Sequence, residues 1–86
     1  MQQKVAGLIT GEDGYPRTPE DEAHLNQLVF HTFATPAGQR CLEYLRSITM
    51  EVALSPNDPD TVLRHMEGAR GLVHIIQRRI RAMETR

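Results

Sequence analysis

Seven residues in the last third of the chain, Val62, Met66, Ala69, Val73, Ile76, Ile80 and Met83, advance by alternating steps of four and three. That spacing puts all seven on one face of a helix and is incompatible with a strand, whose faces alternate every second residue. It predicts one helix over residues 59–83. At 1.5 Å per residue such a helix is on the order of 37 Å long, more than two short helices elsewhere in the chain would cover. Leu63, Leu72 and Ile75 broaden the apolar stripe beyond the seam, as expected of a helix with more than one neighbour. The seam residues are therefore read as a partner-helix interface, satisfied partly within the chain and partly by another molecule.

Gly68 and Gly71 lie inside this helix, where each costs about 1 kcal/mol relative to alanine. With Ala69 between them, they would let another helix approach closely, or bend or break this one. Upstream, Thr18-Pro19-Glu20-Asp21 has the chemistry of a helix start. A hydroxyl accepts from a free amide, proline occupies the first turn, and acids face the positive end of the dipole. Leu25, Leu28, Val29 and Phe33 continue at helical spacing, giving a helix over residues 19–33. Thr35-Pro36 repeats the start signal, and Ala37, Cys41, Leu42, Leu45, Ile48 and Val52 extend a second helix over 36–53. Proline disfavours a helical residue before it, so the two helices meet at a sharp corner. Ser55-Pro56-Asn57-Asp58-Pro59 reads as a turn, with Asp58 capping the third helix.

The expectation is an all-α, small three-helix domain (about 19–33, 36–53 and 59–83), with residues 18–86 forming one unit. Gly11, Gly14 and Pro16 interrupt the short apolar cluster Val5, Ala6, Leu8 and Ile9, so residues 1–17 are read as an extended arm. That arm is either a frayed terminus or a segment whose Leu8 and Ile9 dock on a partner.

At 86 residues a single core is small, and chains of this size commonly add a disulfide, a metal or a partner. Cys41 is the only cysteine, which excludes an internal disulfide; its place among apolar residues suggests a small buried side chain, with a reactive or pairing thiol as the alternative. His24, His31, His65 and His74 form no compact ligand pair with it or with each other. His65 and His74 fall on opposite sides of the third helix. No metal, cofactor or small-molecule substrate is implied. The residues also give no nucleophile-and-base set, paired carboxylates or phosphate-cradling glycines, so no catalytic residue is assigned and the chain is not expected to be an enzyme. No apolar run reaches the length of a membrane span, and the N-terminus lacks a secretory pattern. Synthesis in the cytoplasm is expected, and no membrane partner.

Charge is divided along the chain. Residues 1–60 carry a net charge of −5 and residues 61–86 one of +4. Arg78, Arg79, Arg81 and Arg86 at the basic end form a candidate contact for nucleic-acid phosphates. The same arginines would also complement a helix C-terminus and keep an apolar helix in solution. No aromatic platform for single strands accompanies them, since Tyr15 and Tyr44 stand apart.

Two segments carry a family resemblance. Phe33-Ala34-Thr35-Pro36-Ala37-Gly38-Gln39-Arg40-Cys41-Leu42-Glu43-Tyr44-Leu45 and Glu67-Gly68-Ala69-Arg70-Gly71-Leu72-Val73-His74-Ile75-Ile76 resemble the paired signatures of the Bbp19-like domain of tailed bacteriophages, in the same order and with an acidic, proline-containing turn between them. The similarity spans roughly residues 28–80 and departs from the family pattern at Gln39 and Ala69. It implies a small virion structural protein, of the kind encoded among head and neck morphogenesis genes, made in the bacterial host cytoplasm and carried in the virion. Independently of the family, Gly38 in the first turn of the second helix would let Phe33 or the third helix approach. Arg40 and Arg70 would each bond a carbonyl, or a carboxylate such as Glu67, and tie the corner to the long helix.

The sequence thus supports a virion structural or assembly protein that uses its helices to self-associate or to dock on a head or neck component. A nucleic-acid-binding packaging accessory acting through the basic end is the alternative. A regulator that inserts its long helix into a host protein's groove is a third option.

Overall fold

The helix starts form as the sequence demands. In the computed structural model, which describes residues 7–84, Thr18 is extended and its Oγ1 accepts from the Asp21 amide at 3.1 Å. Helix α1 then runs Pro19–Ala34. Thr35 alone separates it from α2, Pro36–Ser47: with φ −71° and ψ 156° it ends one helix and caps the next. Its Oγ1 accepts from the Gly38 amide at 2.9 Å and donates to the Thr32 carbonyl at 3.1 Å. The corner is tight enough that a Cβ on Gly38 would collide with the Thr32 carbonyl and lie 2.7 Å from the Phe33 Cα. Gly38 is thus the close-approach residue the corner requires.

Helix α2 is shorter than the pattern of apolar residues suggests, ending at Ser47 rather than near residue 53. The helix is closed locally, where the Thr49 Oγ1 donates to the Leu45 carbonyl at 2.7 Å and the Thr49 and Glu51 amides both turn to the Arg46 carbonyl; the segment beyond is then held by the third helix, α3, Asp60–Glu84. Arg70 on α3 reaches back, its Nε donating to the Thr49 carbonyl at 2.9 Å and its Nη2 to the Val52 carbonyl at 2.6 Å. These bonds hold residues 49–52 in an irregular path beside α3, out of helical continuation. The turn that follows also differs in detail. Asp58 does not use its carboxylate on the first amides of α3; Oδ2 accepts from the Ser55 amide at 2.9 Å, closing the turn. The Pro59 carbonyl instead accepts from Val62 and Leu63, and so starts the helix.

Between Gly7 and Thr18 the chain folds back on itself. Strands β1, Ile9–Thr10, and β2, Pro16–Arg17, pair antiparallel with Ile9 opposite Arg17 and Thr10 opposite Pro16. Gly14, at φ 87°, supplies the left-handed turn residue. Where an extended arm was expected, residues 9–17 therefore form a small hairpin; Met1–Ala6 lie outside the described residues.

Helix α1 meets the C-terminal half of α3 where Glu22 and Asn26 bond Arg79 and where Phe30 and Phe33 share a groove with Ile80. Gln39 and Leu42 of α2 line a groove with Ile80 and Glu84, while Thr49, just beyond α2, is bonded to Arg70. These two anchor points make α2 antiparallel to α3. The result is a slab of 47 × 42 × 17 Å. Its radius of gyration is 15.8 Å, against about 12 Å for a close-packed domain of 86 residues. Among the described residues Val73, at 3% exposure, is the one buried apolar side chain.

Candidate interaction surface

The seven-residue seam is used unevenly along α3. Val73 is buried, and Ile76, Ile80 and Met83 are half-buried on the C-terminal half, where α1 packs. Towards the N-terminus of α3, Met66 and Ala69 are half-buried and Val62 is 44% exposed. Leu72, which widens the seam, is 62% exposed. Of the seven seam residues Val62 alone is exposed, while Met66 and Ala69 are covered to the same degree as Ile76, Ile80 and Met83. Gly68 and Gly71 lie between the two ends of the seam. The helix runs unbroken through both, and nothing lies within 4 Å of a Cβ built on either. No intramolecular helix approaches them closely, which is where they differ from Gly38.

A second apolar stripe is exposed on α2. Ala37, Cys41, Tyr44 and Ile48 follow one another at steps of four, three and four, all exposed. Cys41, expected inside, is on the surface, because α2 turns Leu42 and Leu45 toward the rest of the chain and no element covers its outer side. On the inner side Phe30, Phe33, Leu42 and Ile80 line an open groove of about 280 Å³ where α1, α2 and α3 converge.

The two arginines of the sequence signatures part company. Arg70 makes the carbonyl bonds described above, whereas Arg40 is exposed and makes no side-chain bond among the described residues. The basic end is also divided. Arg79, grouped with the candidate phosphate contacts, is 4% exposed and faces inward. Its Nη1 donates to Glu22 Oε2 at 2.8 Å and to Asn26 Oδ1 at 3.0 Å, with Nη2 3.6 Å from Asp13 Oδ2. Arg78 approaches Glu12 at 3.8 Å, Arg81 is exposed, and Arg86 lies outside the described residues.

Arg79 belongs to a charged cluster that joins the hairpin, α1 and α3. Arg17 bonds Asp13 through both terminal nitrogens, at 2.8 and 2.6 Å, and Glu22 at 3.2 Å. The Glu12 amide donates to Glu22 Oε2 at 3.0 Å. Gly11 is buried against the cluster, and a Cβ there would lie 2.6 Å from both Arg17 Nη1 and Glu22 Oε1. The Arg17 bonds, aided by the Tyr15 amide, hold the Asp13 carboxyl well below the usual carboxylate range, and Asp13 in turn pushes the Arg17 guanidinium up. For Glu22, burial works against the charge, but the Glu12 amide, Arg79 and Arg17 outweigh it and the carboxyl is lowered.

Sequence reasoning did not find this cluster. The signal was present. Arg79 stands three residues after Ile76 and four before Met83, and Glu22 three before Leu25 and seven before Val29. Both charges therefore sit on the edges of the apolar stripes that meet. Among the described residues no three His, Cys, Asp or Glu side chains are placed to hold a metal ion, and no helix is long and apolar enough to cross a membrane. His65 and His74 are both exposed.

Compared with known proteins, the chain matches the family model described as Bbp19-like phage protein over residues 31–85. That span contains the Thr35 corner, α2, the Arg70 tie and all of α3. The N-terminal hairpin and most of α1 precede it. No curated protein and no solved structure matches the chain.

Proposed function

The chain belongs to the Bbp19-like phage protein family, and from that premise we propose that it is a non-enzymatic structural or assembly protein of the phage particle, acting by packing its open helix faces on another protein. The observation that carries this reading is the shortage of internal core. With Val73 the one buried apolar side chain among the described residues, the slab does not enclose the second layer that a stable domain normally buries. Val62, Leu72, Tyr44 and Ile48 are large apolar side chains left in solvent on helices that already have regular seams. A partner that covers them supplies the missing burial.

The cluster of ionisable groups supports a role without catalysis. Both Asp13 and Glu22 are committed to arginines, so their charge holds the hairpin to α1 and α3 rather than standing free for chemistry. Nucleic-acid binding has less to rest on, since Arg79 is enclosed and Arg78 is near Glu12.

The test is mass spectrometry of particles, and of unfilled precursor heads, purified from the phage that encodes this chain. A fixed stoichiometric amount in either is expected. Presence only in the soluble fraction of the lysate would overturn the reading. Binding of the purified chain to DNA with a steep loss between about 50 and 200 mM salt would shift the assignment to the basic end of α3.

A further inference from the structure

We propose that the hairpin of residues 9–17 is a hinged strap: it closes over the joint of α1 and α3, and it opens about Thr18 as one unit while the three helices stay folded. The inference goes beyond the assembly role and stands or falls separately from it.

The first ground is how the strap is held. No apolar side chain between Gly7 and Thr18 is buried; Ile9 is 43% and Tyr15 66% exposed, and Leu8 is half-buried. The ties that join it to the helices are polar. The Glu12 amide and Arg17 Nη1 donate to Glu22 of α1 at 3.0 and 3.2 Å. Longer pairs join Asp13 to Arg79 at 3.6 Å and Glu12 to Arg78 at 3.8 Å, both arginines on α3. A segment that buries little apolar surface separates from its neighbours at a fraction of the cost of global unfolding.

The second ground is charge, which stays paired on both sides of the opening. Arg17 bonds Asp13 through both terminal nitrogens, at 2.8 and 2.6 Å, so the strap leaves with that ion pair intact. Glu22 keeps Arg79, whose Nη1 donates to it at 2.8 Å and to Asn26 at 3.0 Å, so the helices keep theirs. Opening therefore avoids an unpaired buried ion, the condition under which breaking a buried pair is costly.

The third ground is the hinge. Strand β2 ends at Arg17 and α1 starts at Pro19, which leaves Thr18 as the single residue between strap and helix. Its Oγ1 accepts from the Asp21 amide and its carbonyl from the Glu22 amide. Both bonds lie on the helix side, so a rotation where Arg17 meets Thr18 leaves α1 capped. Closed, the strap lays the buried Gly11 against Glu22 and Arg79. Open, it returns those two side chains to solvent and frees Arg78 from Glu12, so the charge that the joint presents to another molecule depends on the strap.

The experiment is native-state hydrogen exchange read by NMR on the full chain, with helicity checked by circular dichroism. The Glu12 amide, bonded to Glu22, reports docking; the Gly11 amide, bonded to the Tyr15 carbonyl at 2.8 Å, reports the hairpin; amides around the buried Val73 report α3. Gly11 and Glu12 are expected to share one protection factor, about tenfold or more below that of α3. Gly11→Ala changes no charge and no helix residue, but it puts a Cβ 2.6 Å from both Arg17 Nη1 and Glu22 Oε1. Arg17→Met removes the tie to Glu22 from the strap side. Each is expected to lower the protection of Glu12 by about tenfold or more and that of α3 by less than about twofold. One protection factor common to hairpin and α3 in the wild type would overturn the proposal, as would a Glu12 amide with no protection. Variants that leave Glu12 as protected as before, or that loosen α3 as much as the hairpin, would overturn it too. None of these results bears on whether the chain is found in particles, so failure of the strap is distinguishable from failure of the assembly role.

Discussion

Replacing Arg79 by methionine separates an internal arginine from a surface one. Methionine preserves much of the aliphatic length and removes the fork that bonds Glu22 Oε2 at 2.8 Å and Asn26 Oδ1 at 3.0 Å. The side chains of the Arg79–Glu22 pair are only 5% and 11% exposed, so solvent does little to replace the lost bonds. Removing one partner of a buried ion pair costs about 3–5 kcal/mol. Glu22 keeps Arg17 at 3.2 Å and the Glu12 amide at 3.0 Å, which places the expected loss at about 2–3 kcal/mol. At about 4–8 °C per kcal/mol for a domain of this size, the midpoint falls by about 10–20 °C. Thermal and urea unfolding followed by circular dichroism, at one fixed chain concentration because association raises apparent stability, gives the number. Arg79→Lys retains the charge on a single ammonium and should lose roughly half as much. A change within about 0.5 kcal/mol for Arg79→Met, the behaviour of an ordinary surface site, would refute the reasoning and return Arg79 to the solvent-facing basic end.

Gly38→Ala forces a Cβ into the Thr32 carbonyl and the Phe33 backbone and should destabilise by about 2 kcal/mol or more, whereas Gly71→Ala, with nothing within 4 Å, should stabilise the helix by about 0.5–1 kcal/mol; paired urea titrations distinguish the two glycines. Arg70→Met frees the Thr49 and Val52 carbonyls and should cost about 1–3 kcal/mol, with hydrogen exchange accelerating first in residues 49–54. Asp13 and Glu22 are both lowered from their ordinary values. Folding therefore binds these protons less tightly than the unfolded chain does; their contribution is full above about pH 5 and is lost as pH falls through about 4 and below. Urea midpoints from pH 7 to pH 3 should drop most steeply below pH 4.5, and Glu22→Gln should flatten that acid limb. A wild-type curve already flat from pH 5 to 3 would mean the cluster is not formed in solution.

Local signals made the helical plan legible. Thr18-Pro19 and Thr35-Pro36 set two helix starts to the residue because capping needs only neighbouring atoms, a hydroxyl and an amide three positions on. The seam of α3 set the third helix and its apolar face, since periodicity is a property of the chain alone.

Tertiary structure decided which of those faces are filled and what the charges do. Arg79 and Arg78 are adjacent and chemically identical in the sequence, yet one is enclosed by Glu22 and Asn26 and the other is 56% exposed. Their difference is a rotation of about 100° on the helix relative to a partner helix, and sequence spacing marks the stripe's edge but not which neighbour crosses it. Cys41 shows the converse, an apolar residue left in solvent because α2 turns Leu42 and Leu45 inward and no element covers its other side. Beyond Ser47, Arg70 takes the Thr49 and Val52 carbonyls from 21 and 18 residues away and fixes the path of a segment whose apolar spacing alone reads as more helix. Helix capping and periodicity act over three or four residues and are written in the chain; the choice among exposed faces, ion partners and loop paths is made by residues that only folding brings together.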